Sequence, residues 1–223
     1  DMYVRTFHQS IHKLCKKFKP TVVLFALDCP RCDIWRNEIM PEYKDRNKLP
    51  DFDEKIFPLV INEVLPKLKD DLLEFKFRKK SLPIKVHTIQ HDRAEADDLV
   101  YIYCRHVNRE ETKVIITGDH DYMQLLDDRT EIYDLKLNML RNKSLGSNDK
   151  DVLLKVLGGD PSDNIAKIMP KKQAEALIKD TPIDDVLKMF KHNDKFKNNM
   201  HMVNMDNIPK DIIKDVKMTL FRV

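Results

Sequence analysis

Three short apolar runs in this chain stop at acidic residues, and that arrangement limits the folds open to it. TVVLFAL (21–27) ends at Asp28. IKVHTI (84–89) is followed by a short loop and then by Glu95, Asp97 and Asp98. KVIIT (113–117) leads through Gly118 to Asp119 and Asp121. Continuous apolar runs of this length suit strands covered on both faces, as in a parallel sheet. EIYDL (131–135) predicts a fourth strand. Helical patterns lie between. Residues 3–18 set Phe7, Ile11, Leu14, Cys15 and Phe18 against a side bearing Lys13, Lys16, Lys17 and Lys19. Residues 34–76 are mostly helical in pattern, broken by Pro41, Pro50, Pro58 and Pro66, and Leu99, Val100, Tyr103 and Val107 recur at helical spacing. From Asn148 the pattern is helical throughout, over 149–157, 171–179, 183–191 and 208–220, with the turn GGDPSDN between the first two. Strands alternating with helices, then helices alone, predict an α/β domain with a helical C-terminal part.

In a parallel α/β sheet the C-terminal strand ends share one side, and ligands bind there. Three acidic clusters therefore converge. Glu95 and Asp97, like Asp119 and Asp121, stand two apart and share a side in extended chain. Asp160 and Asp163 stand three apart across a turn containing Gly159 and Pro161. Carboxylates gathered in this way repel each other. Hard oxygen donors in this number suit Mg²⁺ or Mn²⁺, whose charge cancels the repulsion; without metal, some should hold protons through raised pKa values. The chain has 40 basic and 37 acidic residues. With eight acids gathered at one site, the rest carries a clear positive excess, which suits a polyanionic substrate.

The length of 223 residues fits one large domain or one domain with a small extension. No spanning segment or secretory leader is visible. Four cysteines without framework spacing point to a reducing, intracellular compartment, and Cys29 and Cys32, though spaced C-x-x-C, read as ordinary thiols.

Four stretches carry a family resemblance: LDCPRCDIWRNEIMPEYKDRNK (27–48), AEADD (94–98), ITGDHDYMQLL (116–126) and LGGDPSDNI (157–165). Their order resembles that of the 5′-nuclease family, which includes flap endonucleases, phage 5′→3′ exonucleases of the RNase H type and the 5′-nuclease domains of bacterial DNA polymerases. The tail MHMVNMDNIPKDII (200–213) resembles the phage members. The resemblance implies a PIN-like α/β fold: a twisted, mainly parallel sheet with helices on both faces, a helical arch and a C-terminal helix–turn–helix. It divides the chain into a nuclease core, 1–147, with an arch region at 34–80, and a DNA-binding helical region, 148–223.

It further implies two Mg²⁺ ions, with Mn²⁺ able to substitute, and two-metal hydrolysis of phosphodiesters at 5′ flaps, nicks or RNA primers in DNA replication or repair. Asp28, Glu95, Asp97 and Asp119 match the first-metal ligands. Asp121, Asp160 and Asp163 match the second-metal side, and Asp98 an outer position. Lys44 and Arg36 match phosphate-contacting cations at the base of the arch, Tyr43 a base-stacking ring, and Arg46 a displaced arginine of the same run. A second basic run (Lys76, Arg78, Lys79, Lys80, Lys85) falls near the arch's far leg. LGGDPSDNI followed by KKQAEALI matches the helix–turn–helix, with Lys167, Lys171 and Lys172 adding charge. The implied setting is a cytoplasmic monomer (in a host cell, if phage-encoded) acting on flapped, nicked or RNA-primed duplex beside replication proteins, with no membrane.

Two features depart from the family. The usual glycine-rich turn is replaced by AKIMPKK (166–172), in a chain with only four glycines. The family's opening strand and its metal-binding aspartate have no counterpart before Asp28; Asp1 is not at a strand end. The expectation is that residues preceding Asp1 supply a central strand. A PIN-like endoribonuclease and a DNA-junction-binding relative that no longer cleaves are the alternative readings.

Overall fold

The computed structural model describes residues 2–45, 56–73, 76–77, 80–81 and 83–221. The chain packs as two compact units, Asp1–Ala26 with Asn47–Ile89, and Leu27–Arg46 with Gln90–Val223. No helix among the described residues is long and apolar enough to cross a membrane.

The first unit holds α1 (Met2–Phe18), β1 (Val22–Ala26), α2 (Ile56–Leu59), α3 (Leu65–Leu73), a short antiparallel pair β2 (Lys76–Phe77) and β3 (Lys80–Ser81), and β4 (Lys85–Ile89). β1 and β4 run parallel, with Val22 opposite Lys85 and Ala26 opposite Ile89. The predicted stripe of α1 faces this pair: Cys15 is buried and Phe7 lies 6.3 Å from the Phe25 ring. Leu68 and Leu72, one turn apart, are fully buried on the face α3 turns to β4. Between α2 and α3 the backbone widens into a π turn over Val60–Val64, where Leu65 N–H reaches back to Val60 O. Pro66 follows directly; it has no N–H to give the helical ladder, and the wider turn absorbs that loss.

The second unit begins with two 3-10 turns, Arg31–Asp33 and Trp35–Glu38, where the sequence pattern predicts a longer helix. Pro30 and Pro41 bracket this stretch and leave no room for one. Then come α4 (Ala96–Ile102), continued by a π turn to Val107, and the parallel strands β5 (Lys113–Ile116) and β6 (Thr130–Tyr133). Five helices follow: α5 (Asn148–Gly158), α6 (Lys171–Asp180), α7 (Ile183–Phe190), α8 (Asp194–Val203) and α9 (Lys210–Phe221). Val152, Leu153, Val156 and Leu157 of α5 form one core with residues of α6, α7 and α8; Met123, Leu126, Ile132 and Leu140 form another beneath β6.

All four predicted strands are present, within a residue or two of the expected bounds. Among the described residues they stand as two parallel pairs, β1 with β4 and β5 with β6. α8 was not predicted. Its buried positions are Phe196, Asn199, Met202 and Val203, and the asparagine breaks the apolar stripe. That Asn199 is a structural fastener: its amide donates to Val156 O at 2.8 Å and Ala166 O at 2.7 Å, tying α5 to the turn that follows it.

The α5–α6 turn depends on Gly159. Its φ is +71°, and an added Cβ would lie 2.7 Å from Lys167 Cα and N and 2.8 Å from Ile165 O. Neither the backbone angle nor the space admits a side chain. Gly159→Ala should therefore cost about 2 kcal/mol or more in urea unfolding, above the ordinary cost at a left-handed glycine, because backbone must move as well.

Candidate metal centre

The acids lie at the starts of helical segments and in one turn, and the local structure explains each. Glu95 caps α4, and Asp98 Oδ2 accepts the Glu95 N–H at 3.2 Å, one half of a capping box. Asp119 caps the 3-10 turn His120–Leu125, its Oδ1 accepting Asp121 N–H at 2.9 Å. Asp160 Oδ1 accepts both the N–H (2.8 Å) and the hydroxyl (2.6 Å) of Ser162, and Asp160 pairs with Ile165 through backbone hydrogen bonds of 3.0 and 2.9 Å. These bonds orient carboxylates toward a common space.

Separate segments then meet. Asp28 Oδ1 accepts the Ala96 N–H at 2.8 Å, joining the first cluster to the second. Carboxylate oxygens of Glu95, Asp97 and Asp98 lie within 4.8 Å of one another. Tyr122 has its phenol pushed up by burial and then by Asp97, Asp28 and Asp119, so those acids share one neighbourhood. Lys44 Nζ is bonded to Glu95 Oε1 and stands 3.9 Å from Asp163 Oδ1. Lys155 Nζ is bonded to Asp121 Oδ2, Asp163 Oδ2 (3.0 Å) and Asp160 Oδ2 (3.1 Å). A narrow cleft is lined by Tyr43, Asp97, Asp121, Lys155 and Asp163.

The acids do not all share one fate. Asp98 is fully buried: its Oδ2 accepts Trp35 Nε1–H (2.9 Å) and an Arg36 N–H (2.9 Å), and its Oδ1 another (2.8 Å). It is an anchor, with little left for an ion. Asp97, beside it, is held well above the usual carboxylate range by burial first and then by Asp98 and Glu95. Asp121 is also raised, burial outweighing Lys155. For Asp160 burial pushes upward, but the Ser162 and Lys155 hydrogen bonds prevail and its pKa falls. A crowded carboxylate that protonates for want of a counter-charge is the donor chemistry a hard divalent cation satisfies. Glu95 and Asp97 offer such donors side by side with Asp28 and Asp119 in the same neighbourhood, and Asp121, Asp160 and Asp163 converge around Lys155.

Two expectations need correction. Arg36 is 2% exposed, and its guanidinium donates to Glu95, Asp98 and Met202 O while stacking 4.4 Å from the Trp35 ring. It faces the acids, not a phosphate in solvent. Tyr43 is buried too, its hydroxyl donating to Glu95 Oε2 at 3.0 Å, so its ring offers no stacking surface for a base. The phenol completes the hydrogen bonding of an acid that burial would otherwise leave short. Lys167, Lys171 and Lys172 are exposed around the α5–α6 turn. Arg46, Arg78 and Lys79 lie outside the described residues.

The family model for the 5′-3′ exonuclease N-terminal resolvase-like domain matches residues 2–155, more than half of the chain. The chain belongs to this family. Among curated proteins, this 5′-3′ exonuclease-family chain is 32% identical over 134 residues to flap endonuclease Xni of Aliivibrio fischeri strain ES114, spanning 59% of this chain and 45% of that protein. It is 27% identical over 172 residues to DNA polymerase I of Lactococcus lactis strain MG1363, spanning 71% of this chain and 18% of that one. The chain thus aligns with less than half the length of these relatives. Among solved structures, a T5 5′-exonuclease with bound zinc ions superposes with a TM-score of 0.63 at 19% identity, covering 100% of this chain and 92% of that one. A mutant T5 5′-exonuclease gives 0.65 at 17% identity, covering 99% and 92%. These likenesses establish the PIN-like 5′-nuclease fold.

Sequence reasoning missed Lys155 and Trp35 as parts of the site. Lys155 had a signal: it is the lone charge in the run VLLKVL, on a helix whose other residues there are apolar. A lysine so placed needs a buried partner.

Asp97→Asn removes a charge that burial and two neighbours penalise. In chelator-treated protein at pH 7 the variant should unfold at higher urea, by about 1 kcal/mol or more. The sign is set by proton linkage. A carboxyl raised on folding binds more protons in the folded state, so its contribution favours folding at low pH and is lost as pH rises toward its folded value. The advantage of the variant should therefore shrink below the ordinary aspartate range, and added Mn²⁺ should stabilise the parent more than the variant.

Proposed function

We propose that this chain is a metal-dependent, structure-specific 5′-nuclease that hydrolyses DNA phosphodiesters at 5′ flaps, nicks or RNA primers. One observation carries the reading above the rest: acids from four separated segments, Asp28, Glu95 with Asp97, Asp119 with Asp121, and Asp160 with Asp163, gather beside a helix–turn–helix edged with lysines. Membership of the exonuclease family and likeness to a protein named a flap endonuclease support it.

On this reading Asp28, Glu95, Asp97 and Asp119 hold one Mg²⁺, Asp121, Asp160 and Asp163 hold another, and Mn²⁺ substitutes. Bound there, the ions supply a nucleophile at neutral pH and neutralise charge developing on the phosphate. The protein's own groups do the rest. Lys44, with a partly exposed ammonium, steadies the scissile phosphate. Arg36 acts from behind, keeping Asp98 and Glu95 in place. The 148–223 region grips duplex backbone: Lys167, Lys171 and Lys172 meet phosphates without reading bases.

The test is cleavage of a 5′-flapped DNA duplex in Mg²⁺, beside single-stranded RNA. Cutting of the flap with the RNA left intact is expected. Cutting of RNA alone would favour a PIN-like endoribonuclease, and binding without cutting a junction-binding relative. Asp119→Asn should lower flap cleavage by at least about a hundredfold and leave duplex binding equal or tighter, since a like charge near the phosphate is gone. Lys44→Ala should slow the single-turnover rate more than it weakens binding, because a fixed cation acts most on transition-state charge. An unchanged single-turnover rate would remove Lys44 from the machinery.

A further inference from the structure

Lys155 has the geometry of a bound ion. An ammonium has three N–H donors. Those of Lys155 meet three carboxylates from two parts of the chain: Asp121, after β5, and Asp160 and Asp163, in the turn after α5. Its neighbours Val152, Leu153, Val156 and Leu157 fix the helix in the core, so only the side chain is free to change position. In each contact the oxygen used is Oδ2. Of the other oxygens, one is already engaged and a second faces another cation. Asp160 Oδ1 accepts twice from Ser162, and Asp163 Oδ1 faces Lys44 at 3.9 Å. The Oδ2 atoms are the set that the three acids turn to one point, so a divalent ion bound by all three there takes the oxygens that Lys155 holds. A small hard cation sits about 2 Å from its oxygen ligands. An ammonium about 3 Å from the same three oxygens would then lie almost against it, and the two positive charges exclude each other.

We propose that the Lys155 ammonium is the resident counter-ion of the Asp121–Asp160–Asp163 triad, and that a divalent cation occupies this triad only by displacing it. The inference rests on the reading of these three aspartates as ion ligands. It assigns Lys155 a positioning role: it keeps the triad assembled, sets the concentration at which the second ion enters, and leaves a mobile positive charge in the site afterward. A lysine is suited to this, having a compact charge on a flexible stem.

The test uses Mn²⁺ alone, with no nucleic acid, so a failure of the nuclease reading leaves it intact. Calorimetric titration of the parent should show a weaker binding step. In Lys155→Met that step should tighten at least tenfold, and the further change Asp160→Asn should cancel the gain, locating it on this triad. The chelator-treated Lys155→Met protein should melt at lower temperature than the parent and recover with Mn²⁺. A folded Lys155→Met protein that binds Mn²⁺ as the parent does, or more weakly, overturns the proposal. A second measurement needs no variant. The parent is treated with an amine-acylating reagent, and modified lysines are found by mass spectrometry. Lys155 should be protected in chelator and modified in saturating Mn²⁺. Equal modification in both conditions overturns the proposal, as does binding of no Mn²⁺ by parent and variant alike.

Discussion

The repulsion among carboxylates in the second unit is the constraint on which the rest of the site depends. Glu95, Asp97, Asp98, Asp121, Asp160 and Asp163 are drawn together by backbone geometry, and burial, deep at Glu95, Asp98 and Asp163 and partial at the other three, reduces the water that would screen them. Three cations are set among them. Arg36 takes Asp98 and Glu95, Lys44 takes Glu95 and approaches Asp163, and Lys155 takes Asp121, Asp160 and Asp163. Burial disfavours the charged form of each, yet the pKa of each is raised, because the facing acids outweigh it. Asp97 is the acid left over. Among the described residues no cation is bonded to it, and its pKa is pushed up by burial first and then by Asp98 and Glu95. The charge deficit of this group therefore falls on Asp97.

The three cations are not equivalent. Arg36 is planar, permanently charged and packed between Trp35 and Tyr43, with donors directed at fixed oxygens. Removing one partner of such a buried pair leaves an uncompensated charge and costs about 3–5 kcal/mol. Arg36 also reaches Met202 O, at the C-terminal end of α8, so the helical region that follows residue 148 is tied to the acids through this guanidinium. The two lysines are flexible point charges at partly exposed positions. A rigid cation therefore builds the site, and two adaptable ones stand at its partly exposed side.

Much of this was legible in the sequence because strands and acids follow local rules. The four strands and the acids that follow them are read from short windows, and the parallel fold then brings Asp28 to Ala96 and Asp121 to Asp163 by topology. What stayed hidden depends on direction, which spacing does not record. Arg36 and Tyr43 lie in the expected stretch, but whether they face solvent or the core is decided by Asp98 and Glu95, more than fifty residues away, together with the neighbouring Trp35 that Asp98 also holds. Asn199 and α8 were missed for a related reason. The asparagine occupies a core-facing position to satisfy two carbonyls of α5 and its turn, and a hydrophobic pattern counts it as a break. Lys155 is the same case with a charge.

The base of the expected arch and the helix–turn–helix turn are also joined to each other. Asn164 Nδ2 donates to Glu42 O at 2.6 Å and Asp45 O at 3.3 Å, and Lys44 N–H reaches Asp163 O at 3.4 Å. Both Asn164 (φ +60°) and Lys44 (φ +53°) sit in left-handed conformation. Asparagine tolerates this region; lysine adopts it at a cost of about 1 kcal/mol or more. The surrounding bonds must offset that cost, and they do so by holding residues 42–45 against the turn 160–165. Lys44 is thereby aimed from its backbone: its φ turns the side chain toward Glu95 and Asp163, while its N–H rests on the carbonyl of the same Asp163. A shift of the turn moves that carbonyl, the Asp163 carboxylate and the Lys44 ammonium together. The lysine-edged turn and the acids in the site are thus parts of one hydrogen-bonded frame, through which the position of the turn and the spacing of the carboxylates are mechanically joined.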